Sequence, residues 1–124
     1  MYKILQRIDE IKAMAIVRTD SIERACEIAD GLIKGGVPIM EISFTLSNAN
    51  DVIKALRERY KDTLLVGAGT VLDSETARLA ILAGAQFIIA PNLSLDVAKT
   101  CNRYRIPYMP GCTSITEAIT GLEA

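Results

Sequence analysis

Histidine and tryptophan are absent from this 124-residue chain, and cysteine, proline and aromatic side chains are few. The lack of histidine removes the most frequent metal ligand and the usual acid–base group near neutrality. It also excludes serine–histidine and cysteine–histidine nucleophiles. Cys26, Cys101 and Cys112 are too widely spaced for a Cys-x-x-Cys metal site or a disulfide framework, so reduced thiols and no metal are expected. No charge of one sign dominates, since 14 basic residues face 15 acidic ones. With aromatics at 5%, that balance leaves no footprint for nucleic acid or for an anionic membrane surface. Long hydrophobic runs are missing too, every one falling far short of the roughly 20 residues of a membrane span. Met1–Glu10 is charged and has no apolar signal core, so a cytoplasmic location is expected. Chemistry in this chain must rest on carboxylates, guanidinium groups, amines, hydroxyls or the backbone.

What is present is apolar material in a regular arrangement. Half of the residues are hydrophobic, enough for one core in a chain too short for two, so residues 1–124 are expected to form a single domain. Short β-prone runs at Ala13–Arg18, Ile39–Phe44, Leu64–Ala68, Phe87–Pro91 and Tyr108–Met109 alternate with helical patterns. Ser21–Lys34 aligns Ile22, Ala25, Ile28, Ala29, Leu32 and Ile33 at helical spacing, and Ala49–Tyr60 does the same with Val52, Ile53, Leu56 and Tyr60. Ser74–Ala83 and Leu95–Tyr104 continue the series. Asp73 or Ser74, and Ser94, can cap the first turns, while Gly35-Gly36 and Gly84 supply positive-φ stops. Strands apolar on both faces and separated by helices predict an α/β protein with a parallel sheet. An open doubly wound sheet and a (β/α)8 barrel both fit, and both gather functional groups at the C-terminal ends of strands. Five strands would complete a flavodoxin-like sheet and leave a barrel three units short, so length alone favours the open sheet.

The run Ile39-Met40-Glu41-Ile42-Ser43-Phe44-Thr45 places one carboxylate inside an apolar, β-prone segment. Desolvating that carboxylate raises its pKa, the property a general base working near neutrality needs. An edge strand that shows one polar residue to water would explain Glu41 equally. Other polar groups stand at or beyond the strand ends: Arg18, Thr45, Thr70, Pro91 with Asn92, and Gly111 with Cys112 and Thr113. The Arg18 guanidinium suits a carboxylate or phosphate, or else an ion pair with Glu41. Val66-Gly67-Ala68-Gly69-Thr70 lacks the third glycine of a dinucleotide fingerprint, so Gly67 and Gly69 are read as steric, admitting substrate or a neighbouring strand, or as a plain turn.

In order along the chain, Ile16-Val17-Arg18, Gly35-Gly36-Val37 leading to Glu41-Ile42-Ser43-Phe44-Thr45, Val66-Gly67-Ala68-Gly69-Thr70-Val71, Ala83-Gly84-Ala85-Gln86-Phe87-Ile88 to Ala90-Pro91, and Tyr108-Met109-Pro110-Gly111 resemble the 2-keto-3-deoxy-6-phosphogluconate / 4-hydroxy-2-oxoglutarate aldolase family. The resemblance reverses the architectural choice, implying a TIM (β/α)8 barrel of which this chain covers about the first five βα units. It also implies a class I aldolase without cofactor or metal: a lysine amine condenses with the C2 ketone of a keto acid, and the iminium accepts electrons as the C3–C4 bond breaks. Pyruvate is released with glyceraldehyde 3-phosphate or glyoxylate. By the same resemblance Glu41 matches the proton-transferring glutamate, and Arg18 a residue holding the substrate carboxylate or that glutamate. Thr70 matches a threonine contacting the pyruvyl group, and Pro91 lines the pocket. Thr45 stands where other members carry an arginine, which implies a different hold on the carboxylate. The Schiff-base lysine of the family lies on a sixth strand and has no counterpart among Lys3, Lys12, Lys34, Lys54, Lys61 and Lys99, all in predicted helices or at their ends. Activity of this chain alone is therefore not expected. Family members are often trimers, which implies a homo-oligomer. A noncatalytic five-stranded open-sheet binding module, with Glu41 paired to Arg18, is the competing reading.

Overall fold

A computed structural model describes residues 1–124. Five strands, β1 (Ala15–Val17), β2 (Ile39–Ser43), β3 (Leu65–Gly69), β4 (Ile88–Ala90) and β5 (Tyr108–Pro110), alternate with helices. The helices are α1 (Tyr2–Ile11), α2 (Ile22–Lys34), α3 (Ala49–Tyr60), α4 (Ser74–Ala83), α5 (Leu95–Tyr104) and α6 (Ile115–Glu123). All strand pairs are parallel and the order is β1-β2-β3-β4-β5. A flavodoxin-like sheet interchanges its first two strands, whereas consecutive order is that of a barrel wall. The open doubly wound sheet favoured by length is thus overturned, and with it the architecture of the binding-module reading. No helix is long and apolar enough to cross a membrane.

Local chemistry sets the helix limits. Ser21, Asp73, Ser94 and Ser114 each accept a hydrogen bond from the third residue of the helix that follows, the shortest running from the Thr76 N–H to Asp73 at 2.6 Å. Both α2 and α4 end in a Schellman turn, with Gly36 at φ 78° and Gly84 at φ 106° as the left-handed residues. Of the expected Gly35-Gly36 pair only Gly36 turns left. Gly35 remains right-handed because its N–H still bonds the Gly31 carbonyl at 2.9 Å.

Two apolar layers flank the sheet. Met40, Ile42, Val66, Ala68 and Ile88 belong to the larger cluster with Ala25, Val52, Ile53, Leu56, Ala77 and Val97 from the helices. The inner face carries a smaller cluster, Ile39, Leu65 and Phe87, which Ile4, Ile8 and Ile11 of α1 cover. Those isoleucines recur at helical spacing, so α1 plugs the N-terminal end of the wall. Arg7 fastens it by donating to the Asp62 and Thr63 carbonyls at 2.7 and 2.9 Å. Gly67 makes room for this layer, since a Cβ there would run into the Phe87 ring. Above the plug the inner face is open, and Ile16 on β1 is 55% exposed.

Candidate active site

Alternation along β2 sends Met40 and Ile42 outward to the helices and Ile39, Glu41 and Ser43 to the inner face. Glu41 therefore stands just above the apolar plug, between Ile16 of β1 and Gly67 of β3 in register. It is only 5% exposed. The edge-strand explanation of Glu41 fails, because β2 is paired on both sides. Its carboxylate accepts no hydrogen bond from the protein, and the two ion pairs of the chain, Arg24–Glu27 and Arg59–Asp30, lie elsewhere. Burial pushes the Glu41 carboxyl above the usual carboxylate range, and the charge of Arg18 pulls it partly back. Arg18 sits one residue beyond β1, exposed and free of any ion pair, so the alternative of an Arg18–Glu41 ion pair gives way to a longer-range attraction.

Hydroxyls gather at the same end of the sheet. Ser43, the last residue of β2, is fully buried, with its Oγ 3.2 Å from both Thr45 Oγ1 and Thr70 Oγ1. Thr70 leaves β3 at φ 59°, a left-handed conformation uncommon for a β-branched residue and of a kind that clusters at functional sites. Pro91 follows β4 on the same rim; its carbonyl abuts the Gly111 Cα, and Gly111 N–H donates to the Ala90 carbonyl at 2.8 Å. The structure thus joins Thr45 and Thr70 through Ser43, sets Arg18 to act on Glu41 through space, and ties Pro91 to the end of β5. Residue type alone does not single out Ser43, yet it shares the parity of Glu41, which is the signal that finds it.

Two cavities lie away from this rim. One of about 350 Å³ is lined by Ser74, Glu75, Arg78, Thr100, Arg103 and Tyr104 of α4 and α5, and the other, of about 200 Å³, lies where α1, α5, β5 and α6 meet. Neither includes Glu41 or the hydroxyl cluster, for the inner face is an open concavity rather than an enclosed hole. The strand ends are preferred as the candidate site because the buried charge and the strained threonine are there. No group of three or more cysteine, aspartate or glutamate side chains is placed to hold a metal ion. All six lysines are exposed and lie on helices or their C-caps, none on a strand.

A consecutive parallel wall with its polar groups at the strand C-termini places the chain in the TIM-barrel class. A profile of KDPG and KHG aldolases matches residues 4–124. The 2-dehydro-3-deoxy-phosphogluconate aldolase of Treponema pallidum is 37% identical over 123 residues, covering 99% of this chain and 58% of that protein. The KHG/KDPG aldolase of Escherichia coli K12 is 32% identical over 108 residues, covering 87% of this chain and 50% of the enzyme. Among solved structures, the Zymomonas mobilis ZM4 2-keto-3-deoxy-6-phosphogluconate aldolase with 3-phosphoglycerate superposes with a TM-score of 0.88 at 28% identity, covering 99% of this chain and 58% of that one. The Legionella pneumophila KDPG aldolase, with pyruvate captured at low pH as a covalent carbinolamine intermediate, gives 0.83 at 27% identity over 89% of this chain and 53% of that one. The chain belongs to the KDPG and KHG aldolase family and spans about half the length of the curated relatives it matches.

Proposed function

We propose that these 124 residues form one incomplete barrel domain, the general-base half of a class I aldolase that cleaves a 2-keto-3-deoxy-6-phosphogluconate- or 4-hydroxy-2-oxoglutarate-type keto acid to pyruvate and an aldehyde. The observation that carries this reading is Glu41, a carboxylate at the strand ends of a barrel wall, 5% exposed and without a protein hydrogen-bond donor. Raised by burial, it is suited to take a proton from the C4 hydroxyl as C3–C4 cleaves, and to move protons while the carbinolamine forms and dehydrates. Arg18 supplies positive charge for the substrate carboxylate, Thr70 and Thr45 offer hydroxyl contacts to the pyruvyl end, and Pro91 walls the pocket. The amine comes from outside residues 1–124, a reading supported by the exposure of every lysine here on helices or caps. The carbinolamine named for the Legionella relative supports covalent imine chemistry in this family. A homo-oligomeric assembly, a trimer in the full-length protein, accompanies this reading.

Borohydride added with pyruvate is expected to leave the mass of this chain unchanged, and an adduct on any lysine would overturn the claim about the amine. A chimera joining residues 1–124 to the remaining strands of the Treponema relative is expected to cleave the keto acid. Glu41→Gln in that chimera should then lower kcat by about 10²–10⁴-fold. Retention of full activity would remove Glu41 from its role.

A further inference from the structure

Gly69 closes β3 beside Glu41, and a Cβ at this position would overlap Glu41 Oε1 and clash with its Cδ and Cγ. The carboxyl group of Glu41 thus occupies the volume that any other L-residue at 69 would fill. Backbone conformation gives no second reason for this glycine. The left-handed glycines are Gly36 and Gly84, and Gly69 is not among them. Its backbone is also held in place, for its carbonyl accepts the Phe44 N–H at 2.8 Å, and the next residue, Thr70, is hydrogen-bonded to Ser43. A Cβ would therefore move the flexible glutamate rather than the strand. No protein hydrogen bond or ion pair fixes Glu41 independently, so its location is determined by the shape of this niche.

We infer that Gly69 is a positioning residue, whose missing side chain is the seat of the Glu41 carboxylate. Its functional meaning rests on the proton-transfer reading of Glu41, whereas the seat itself does not. An alanine at this position drives the carboxylate off β3 toward the open concave face, where water hydrates it, and its ionisation returns toward that of an ordinary glutamate.

Two measurements on the 124-residue chain test this without any catalysis. Carbon-13 NMR titration of the glutamate side chains should show Glu41 titrating above the others in the parent, and shifting down to join them in Gly69→Ala. An unmoved Glu41 midpoint in that variant overturns the inference. Urea unfolding of the parent, Gly69→Ala, Glu41→Ala and the double variant supplies the second readout. At pH 3.5, where the seated carboxyl is protonated and moving it relieves no charge, Gly69→Ala should lower the midpoint in the parent and leave it nearly unchanged in the Glu41→Ala background. An equal loss in both backgrounds, or failure of both chains carrying Gly69→Ala to fold, assigns Gly69 to something other than Glu41 and overturns the seat. Folding of the double variant alone supports it. If the chimera carrying Glu41→Gln keeps its activity while this coupling persists, the proton-transfer reading fails and the seat stands.

Discussion

An ionised Glu41 surrenders hydration inside β2 that no protein donor restores, and only the distant charge of Arg18 offsets the loss. Its protonated form fits the folded chain better, which is what a folded-state pKa above the unfolded one means. By linkage, the stability from Glu41 is fully present below the unfolded glutamate pKa and is lost as pH rises through the higher folded value. At pH 7 that contribution is gone, and the charged form is the less favoured one in the fold. Glu41→Gln keeps the shape without the charge, so it is expected to raise the urea midpoint at pH 7, with the gain closing as pH falls below the ordinary glutamate range. Paired urea curves at pH 7 and pH 3.5 measure this, and a variant less stable than the parent at pH 7 would show that the charge is well solvated. Glu41 was legible from sequence because a charge in an apolar strand is conspicuous. Gly69 was legible only as steric, since the neighbour it admits lies on another strand and no local pattern names it. Ser43 gives no such signal beside Glu41, because serine in a strand is ordinary until both of its hydroxyl partners are placed.

At the level of elements, all five strands and the helices α2 to α5 follow from periodicity and capping, with limits moved by a few residues at most. Strand order did not follow. Hydrophobic alternation describes which faces of a strand are buried but not which strand lies beside it, so a count of five strands points to the open sheet, whereas the order of motifs along the chain points to the barrel wall that is found. Charge and the lack of a signal core in Met1–Glu10 do not reveal α1, although Ile4, Ile8 and Ile11 mark its covered stripe. At the other end α6 contributes no buried side chain, so its stability is mostly local. Its capping box is dense: Glu117 accepts from Thr113 and Ser114 through both backbone and hydroxyl groups, and Ser114 Oγ accepts from Glu117 N–H at 3.2 Å. Ser114→Ala is expected to cost this helix about 1 kcal/mol and to speed amide exchange across residues 115–123, while β2 and β3 keep their protection. Unchanged exchange in α6 would mean that packing rather than the cap holds it.

A closed barrel has no sheet edge, whereas the wall described here leaves β1 and β5 unpaired on their outer sides and Ile16 open on the concave face. The edges are short, three residues each, and Pro110 deprives β5 of one donor. Pairing across such an edge gains few hydrogen bonds at about 0.5–1.5 kcal/mol net apiece. Larger returns are available on α6, where Ile115 (81% exposed), Ile119 (51%) and Leu122 (88%) form an apolar stripe at helical spacing, and burying each contributes about 1.5–3 kcal/mol. Apolar contact should therefore dominate over edge pairing when these chains meet. The chain is expected to self-associate with rising concentration, seen in sedimentation velocity as a boundary that moves faster and broadens. Ile119→Lys with Leu122→Lys should return it toward the monomer with α6 still helical, since neither side chain is buried in the fold. Undiminished association in that variant would transfer the role to the sheet edges and the concave face, and a sharp monomeric boundary for the parent at high concentration would refute self-association altogether.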